Sequence, residues 1–293
     1  MPKVFRLVFS IVNAVIIIGL IAIHFVVKEH TFQSSLLYYT FPLPVIISII
    51  LVLSIFLSKR FRKFNLLLSA ILLAVWLSRS FKVNFTKDGG EHDLEVVFWN
   101  TSHEKGFKDV FEETESVPDV IVLVEYKGNN LEEVKAKYPS YHFYKHPSKE
   151  IGIFSKDKII IRNTTLRNFS SYVIHFETFG LDFYAVDIAG SIDVPRKWGV
   201  DVIEEALTDY NNAVLMGDFN MPFESKYLKP IKQNFNHAFN EKGNGFRETW
   251  FWNIPLLSLD HIWVSRDLEI LKTEKISTWK SDHAILRTTL NKP

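Results

Sequence analysis

Two hydropathy regimes divide the chain. From Leu7 to Val27 run 21 residues without a formal charge, broken only by Ser10, Asn13, Gly19 and His24. At about 1.5 Å per residue such a helix reaches roughly 30 Å, the thickness of a bilayer core. A second uncharged run, Leu36 to Leu57, carries Pro42 and Pro44 near its start, where they mark a kink or a first turn. A third, Phe64 to Ser78, is shorter. It spans if Arg62, Lys63, Arg79 and Lys82 extend toward headgroups, and otherwise lies at the interface. The pattern predicts a membrane anchor over residues 1–85 with two to three transmembrane helices, at about 7–27, 36–57 and 62–79. The length of the first run, and "HFVVKEHTF" after it with no small-residue cleavage site, argue against a cleaved signal peptide.

From Asp93 onward the pattern shortens to β-branched and aromatic runs between polar, helix-capable stretches. "LEVVFWN", "DVIVLVEY", "IGIFS", "KIIIRN", "DFYAVDIAG", "AVLMGDFN", "SLDHIWVS" and "AILRTTL" read as strands. Gly106–Glu115, Leu131–Lys137 and Lys197–Tyr210 read as helices. Such alternation predicts an α/β domain over residues 90–293.

Charge sharpens the division. Residues 1–89 hold ten Lys/Arg against Glu29 and Asp88, a net +8, and residues 90–293 hold 24 Lys/Arg against 31 Asp/Glu, a net −7. The basic loop "SKRFRK" and the N-terminal Lys3 and Arg6 favour the cytoplasmic side of an inner membrane. Three spans then place the α/β domain on the extracytoplasmic side, and two place it in the cytoplasm. The absence of cysteine excludes disulfides, Cys-ligated zinc, iron–sulfur clusters and a thiol nucleophile.

The candidate chemistry lies at strand ends. "VVFW" delivers Asn100, "DVIVLV" delivers Glu125, and "AVLMG" delivers Asp218 and Asn220. Asp260 and His261 open one strand, and Ser281, Asp282 and His283 precede the last. Singly, each has a structural explanation: an Asx turn after Asp218, a surface ion pair at Glu125, a cap at Asp282. Together, in this order, "GDFN", "SDH", "LDHIWVS", "EIGIFSK" and the Glu of "VIVLVEY" resemble the endonuclease/exonuclease/phosphatase superfamily, the DNase I-like fold, over about residues 93–291. A membrane segment before such a domain is similar to a group of bacterial membrane-anchored members.

The resemblance implies a four-layered sandwich of two mixed sheets flanked by helices, preceded here by an all-α anchor. It implies hydrolysis of a phosphate ester with a hard divalent cation, Mg2+ or Mn2+. Glu125 matches the main metal ligand, with Asn100 beside it and Asp282 as a second carboxylate. Asp218 would activate water and Asn220 would hold the water or a phosphate oxygen. His283 would contact phosphate, with Asp260 fixing its tautomer. The chain departs from the family at Asp187, where many members carry a His. Three readings stay open for it: a further metal ligand, a substrate-selecting acid, or a mark of weakened catalysis.

Fold does not choose the substrate. A net −7 domain favours a lipid headgroup or small phosphoester over nucleic acid, whose backbone calls for a basic track. Of the aromatic stretch "FRETWFWNIPLLS", one Trp is expected in the core and the others along the cleft, with a lipid-facing loop as the alternative. The competing class is a membrane-tethered binding or scaffold protein that keeps the fold with weakened catalysis.

Overall fold

The computed structural model describes residues 3–90, 92–167, 171–191 and 194–292. The chain forms two units, Met1–Phe81 and Lys82–Pro293.

The first unit is all-helical. α1 (Lys3–Ile21) continues as a π-helical stretch, Ala22–Val27, followed by α2 (Phe32–Thr40), α3 (Leu43–Ser54) and α4 (Lys59–Ser80). Arg6–Val27 and Lys59–Ser80, 22 residues each, are long and apolar enough to cross a membrane. The third apolar run is therefore longer as a helix than as an uncharged stretch, because Lys59–Lys63 continue it. The second run is broken instead: α2 and α3 meet at 66°, since Pro42 has no N–H to continue α2 and caps α3. Ile17, Leu20, Leu43, Ile46, Ile50 and Leu72 form the buried seam. Asn65 donates to Asn13 across it at 3.0 Å, while Leu7, Ile11, Val15, Ile18 and Leu67 face outward. An apolar exterior of this kind suits lipid better than water. Arg62 donates to the Ser54, Ile55 and Leu57 carbonyls and so satisfies the open end of α3.

The second unit holds two six-stranded mixed sheets. We number its strands β1 (Leu94–Asn100), β2 (Val120–Val124), β3 (His142–Lys145), β4 (Gly152–Ser155), β5 (Ile160–Arg167), β6 (Ser171–Thr178), β7 (Leu181–Asp187), β8 (Ala213–Asp218), β9 (Phe235–His237), β10 (Asp260–Ser265), β11 (Ile270–Ile276) and β12 (Ile285–Leu290). One sheet runs β11-β12-β1-β2-β4-β3 and the other β9-β10-β8-β7-β6-β5. Each has one parallel pair at its centre, β1/β2 and β7/β8. Parallel neighbours require a crossover, supplied by α5 (Phe107–Thr114) and α6 (Arg196–Ala206).

Period-two alternation explains why β1 is apolar throughout. Leu94, Val96 and Phe98 enter the core between the sheets, against Phe176, Phe183, Met216 and Ile262. Val97 and Trp99 point the other way, into an outer layer with Phe107, Val110 and Val134. Sheet, sheet and outer helices give the layered sandwich that the resemblance implies. The strands not evident in the sequence are β3, β6, β9 and β11, while the helix expected over 197–210 ends at Ala206.

Candidate active site

In an open α/β sheet, ligands bind beyond the carboxyl ends of the parallel strands. Both parallel pairs here end at the same place. Tyr172, Asp187, Asp218 and Asp260 stand in register across β6, β7, β8 and β10. From the other sheet, Asn100 ends β1 and Glu125 directly follows β2. The Asn100 amide joins the two, donating to Glu125 Oε1 and to Asp218 Oδ2, each at 3.1 Å. Its carbonyl oxygen accepts from the Ser102 N–H at 3.0 Å.

Glu125 is held at φ 50°, a left-handed conformation that costs a non-glycine residue about 1–2 kcal/mol. The turn is secured from above: the His103 N–H and the Thr101 hydroxyl donate to the Glu125 carbonyl at 2.9 and 2.8 Å. The His103 ring then bridges two acids, 3.2 Å from Glu125 Oε2 and 2.6 Å from Glu150 Oε2.

His283 Nδ1 lies 2.8 Å from Asp260 Oδ2. Burial alone would depress this imidazole. The charge and hydrogen bond of Asp260, with Asp218 and Asp282 behind them, outweigh it and raise the pKa to about 10. The backbone of His283 is clamped as well: the Trp99 indole donates to its carbonyl at 3.1 Å, and its N–H donates to the Ser281 hydroxyl at 3.1 Å. Asp282 faces elsewhere. It accepts from the Ser102 hydroxyl and, at 2.9 Å, from the Trp250 indole. Burial raises its carboxyl, but these donors and the His283 charge bring it below the usual value.

Asp218 does form an Asx-type turn, accepting from the Asn220 N–H at 2.8 Å. The turn and the site are thus one feature. Asn220, at φ 49°, sends its amide to the Ile188 carbonyl at 2.8 Å. A Cβ on Gly190 would stand 2.8 Å from Asn220 Oδ1, so glycine there leaves the carboxamide its space. Burial, then the charge of Asp260, pushes the Asp218 carboxyl well above the ordinary range, with His283 pulling it back. Asp187 accepts from the Tyr172 hydroxyl at 2.5 Å. Burial raises it to about 7 against that hydrogen bond, helped by Glu125 and Glu150 and opposed by His103.

Below the turn, His261 continues the β10 motif. Its Nε2 lies 2.8 Å from the Met221 carbonyl and its Nδ1 2.9 Å from His237 Nε2. Burial lowers both histidines, His261 to about 3. They are neutral props of the Asp218–Met221 turn.

The donor set fits a hard divalent cation. Carboxylate and amide oxygens predominate, and five acids (Glu125, Glu150, Asp187, Asp218 and Asp260) gather here, with Asp282 adjoining on the Ser102 side. Asp260 Oδ1 is buried and has no hydrogen-bond partner among the described residues. Ligand atoms of Asp218, Asp260 and His283 fall within 4.8 Å of one another. Since His283 Nδ1 is committed to Asp260, its ring serves better as a donor than as a ligand. Glu125, half-exposed and beside Asn100, is the better seat.

The structure thus gathers Asn100, Glu125, Asp187, Asp218, Asn220, Asp260 and His283, and places Asp282 on the Ser102–Trp250 side. It adds His103, Glu150 and Tyr172, which the sequence reading did not single out. Glu150 carried a signal, standing directly before "IGIFS". His103 carried none, because the direction of a loop side chain depends on backbone angles.

The family model described as "Endonuclease/Exonuclease/phosphatase family" matches residues 97–283. The chain belongs to that family. Solved structures with the same fold include the endonuclease/exonuclease/phosphatase from Bacteroides vulgatus, 16% identical, TM-score 0.52, covering 69% of this chain and 99% of that one. A humanised TDP2 from D. rerio is 14% identical, TM-score 0.53, covering 69% and 100%. The mannosyl-6-phosphatase of Bacteroides thetaiotaomicron is 15% identical, TM-score 0.51, covering 67% and 99%. No curated protein matches the chain.

Proposed function

We propose that this chain is a membrane-anchored hydrolase of phosphate esters that depends on a divalent cation, Mg2+ or Mn2+. Glu125 and Asn100 would hold the cation, with Asp282 as a further carboxylate nearby. Bound there, it would neutralise phosphate oxygens and the charge that develops on them. The Asp218 carboxyl, raised by its surroundings, takes the proton of the attacking water. Asn220 orients that water or a phosphate oxygen.

With Nδ1 held by Asp260, Nε2–H of His283 is the donor available to phosphate, and its pKa of about 10 keeps the ring cationic at neutral pH. Asp187, poised at about 7 under the Tyr172 hydroxyl, can hold a proton beside the phosphate instead of repelling it. The observation that carries the reading is the Asn100 bridge. It ties the Glu125 seat of one sheet to the Asp218–Asp260–His283 set of the other.

The anchor follows from the two helices long enough to span, plus the bent α2–α3 pair as a third. With "SKRFRK" in the cytoplasm, three spans set the domain on the extracytoplasmic side of the cell membrane. The purified full chain should hydrolyse bis(p-nitrophenyl) phosphate or p-nitrophenyl phosphate with Mg2+ or Mn2+, and lose turnover with chelator and in Asp218→Ala. No turnover together with no divalent-cation binding would favour the scaffold reading instead.

A further inference from the structure

Beside the site lies an apolar rim that the proposed chemistry does not use. Trp279 is 75% exposed, Ile254 55%, Trp252 38% and Phe251 37%. These residues come from two loops fastened to each other, since the Asn253 amide donates to the Thr278 carbonyl at 3.1 Å. The rim is also fixed to the site: the Trp252 N–H donates to the Asp282 carbonyl at 3.0 Å, and the Trp250 indole to the Asp282 carboxylate. Loops of this kind are built surfaces rather than loose ends.

We propose that this rim seats in the headgroup region of the membrane, and that the site beside it takes the phosphoester of a membrane lipid. The proposal rests on the phosphoesterase reading above and narrows its substrate. Three observations select the occupant. Tryptophan, phenylalanine and isoleucine are the side chains an interface accepts, the indole ring lying at headgroup level.

Among the described residues, no free cation belongs to the rim. Lys280, next to Trp279, is spent on Asp109, Glu112 and Glu113, and residues 90–293 carry a net −7. Such a rim offers a phosphate backbone no cation to pair with.

The third observation is covalent. Lys82 follows Ser80, the last residue of a candidate span, by two positions, and Asn84 is already bonded to Asn240, Gly243 and Asn244 of the domain. Lys82 feels the charges of Arg247 and Glu248, and the rim begins a few residues later at Phe251. In a chain held in a bilayer by residues 59–80, so short a linker leaves the domain little travel away from the lipid. In the reaction, water oxygen joins phosphorus, the ester P–O bond breaks, and the proton leaves on the alcohol.

The chain has no native cysteine, so Trp279→Cys carries the only thiol. The full chain, labelled there with an environment-sensitive fluorophore and reconstituted in phosphatidylcholine/phosphatidylglycerol vesicles, should emit to the blue and be quenched by spin-labelled lipid. The same label in Lys158→Cys, at the strand ends remote from the site, should do neither. A p-nitrophenyl phosphodiester is then made twice, as a soluble methyl ester and as a diacylglycerol ester in vesicles. Ile254→Ser with Trp279→Ser should cut turnover of the vesicle form about tenfold and leave the methyl ester unchanged.

A label at 279 as wet as that at 158, or equal loss on both esters, overturns the proposal. So does protection of the label by single-stranded oligonucleotide in place of lipid, since bases also stack on exposed aromatics. If wild type turns over neither ester, the catalytic reading falls, and the fluorophore still decides whether the rim meets lipid.

Discussion

The His283–Asp260 pair allows a test that needs no substrate. His283 is raised from an ordinary 6.5 to about 10 although it is buried. A shift of that size corresponds to roughly 5 kcal/mol favouring the protonated ring, already net of the burial cost. Asp260 is the largest favourable contributor, by charge and by its 2.8 Å contact with Nδ1. Asp260→Asn keeps the shape and an oxygen for Nδ1–H but removes the charge. Asp218 and Asp282 remain, each contributing less than burial takes away. The His283 pKa in the variant should therefore fall by about three units.

The assay is a pH titration of 15N-histidine-labelled full chain in chelator, with His283→Gln to assign the resonance. The sign extends to stability. A raised histidine contributes stability fully below pH 6.5 and loses it as pH rises through about 10. The gap between wild type and Asp260→Asn should accordingly be widest below 6.5 and close toward 10. A wild-type His283 titrating near 6.5, or a variant within one unit of wild type, would refute the assignment of the proton to this pair.

Three further outcomes follow from the same contacts. In the same spectra His237 and His261 should stay neutral from pH 5 to 9, each protonated on Nε2, because the Asn240 N–H occupies His237 Nδ1 and Met221 accepts from His261. A transition of either near 6.5 would contradict this. Tyr172→Phe removes a donor to a carboxylate, which is worth about 1.5–3 kcal/mol. The Asp187 carboxyl should then move above about 7 by one to two units in carboxyl 13C spectra, and a downward move would reverse the argument. Gly217→Ala would set a Cβ 2.0 Å from the Val186 carbonyl oxygen within the β7/β8 pair. The strands must separate, at a cost of about 2 kcal/mol or more in urea unfolding. An unchanged midpoint would mean the pair yields freely.

The central strands were legible because both of their faces are buried, which leaves continuous apolar runs such as "VVFW" and "AVLMG". The strands that escaped detection are those where something else satisfies a polar side chain. β6 reads "SYVIHFET", and its His175 sits against Asp182 at 2.6 Å and stacks on Tyr184, so a buried strand tolerates an imidazole that breaks its pattern. β11 is an edge strand in which Lys272 and Glu274 pair across an exposed face, and a period of two with charges does not announce a sheet. The Pro42 break was visible in the second apolar run, but its size was not, because an angle depends on packing.

The site shows the same boundary between what residue types disclose and what backbone angles decide. Asn100, Asp218 and Asp260 end or begin strands, so their positions follow from where apolar runs stop. Their meeting requires two sheets to end at one edge, which follows once each has a single parallel pair and a crossover on the outside. His103 reaches Glu125 from a loop instead, and Glu150 joins through the other nitrogen of that ring. Ser102 and His103 sit at φ 46° and 67°, angles no motif in "NTSHEK" advertises.

The convergence explains why Asp187 need not read as a lost histidine. In a row of Asp187, Asp218 and Asp260, protonation of one carboxyl lowers the repulsion felt by the other two. Burial raises Asp187 and the Tyr172 hydroxyl pulls it back, which leaves it at about 7 in place of either extreme. A histidine there would add positive charge beside His283. An acid at about 7 can instead be neutral or charged near physiological pH.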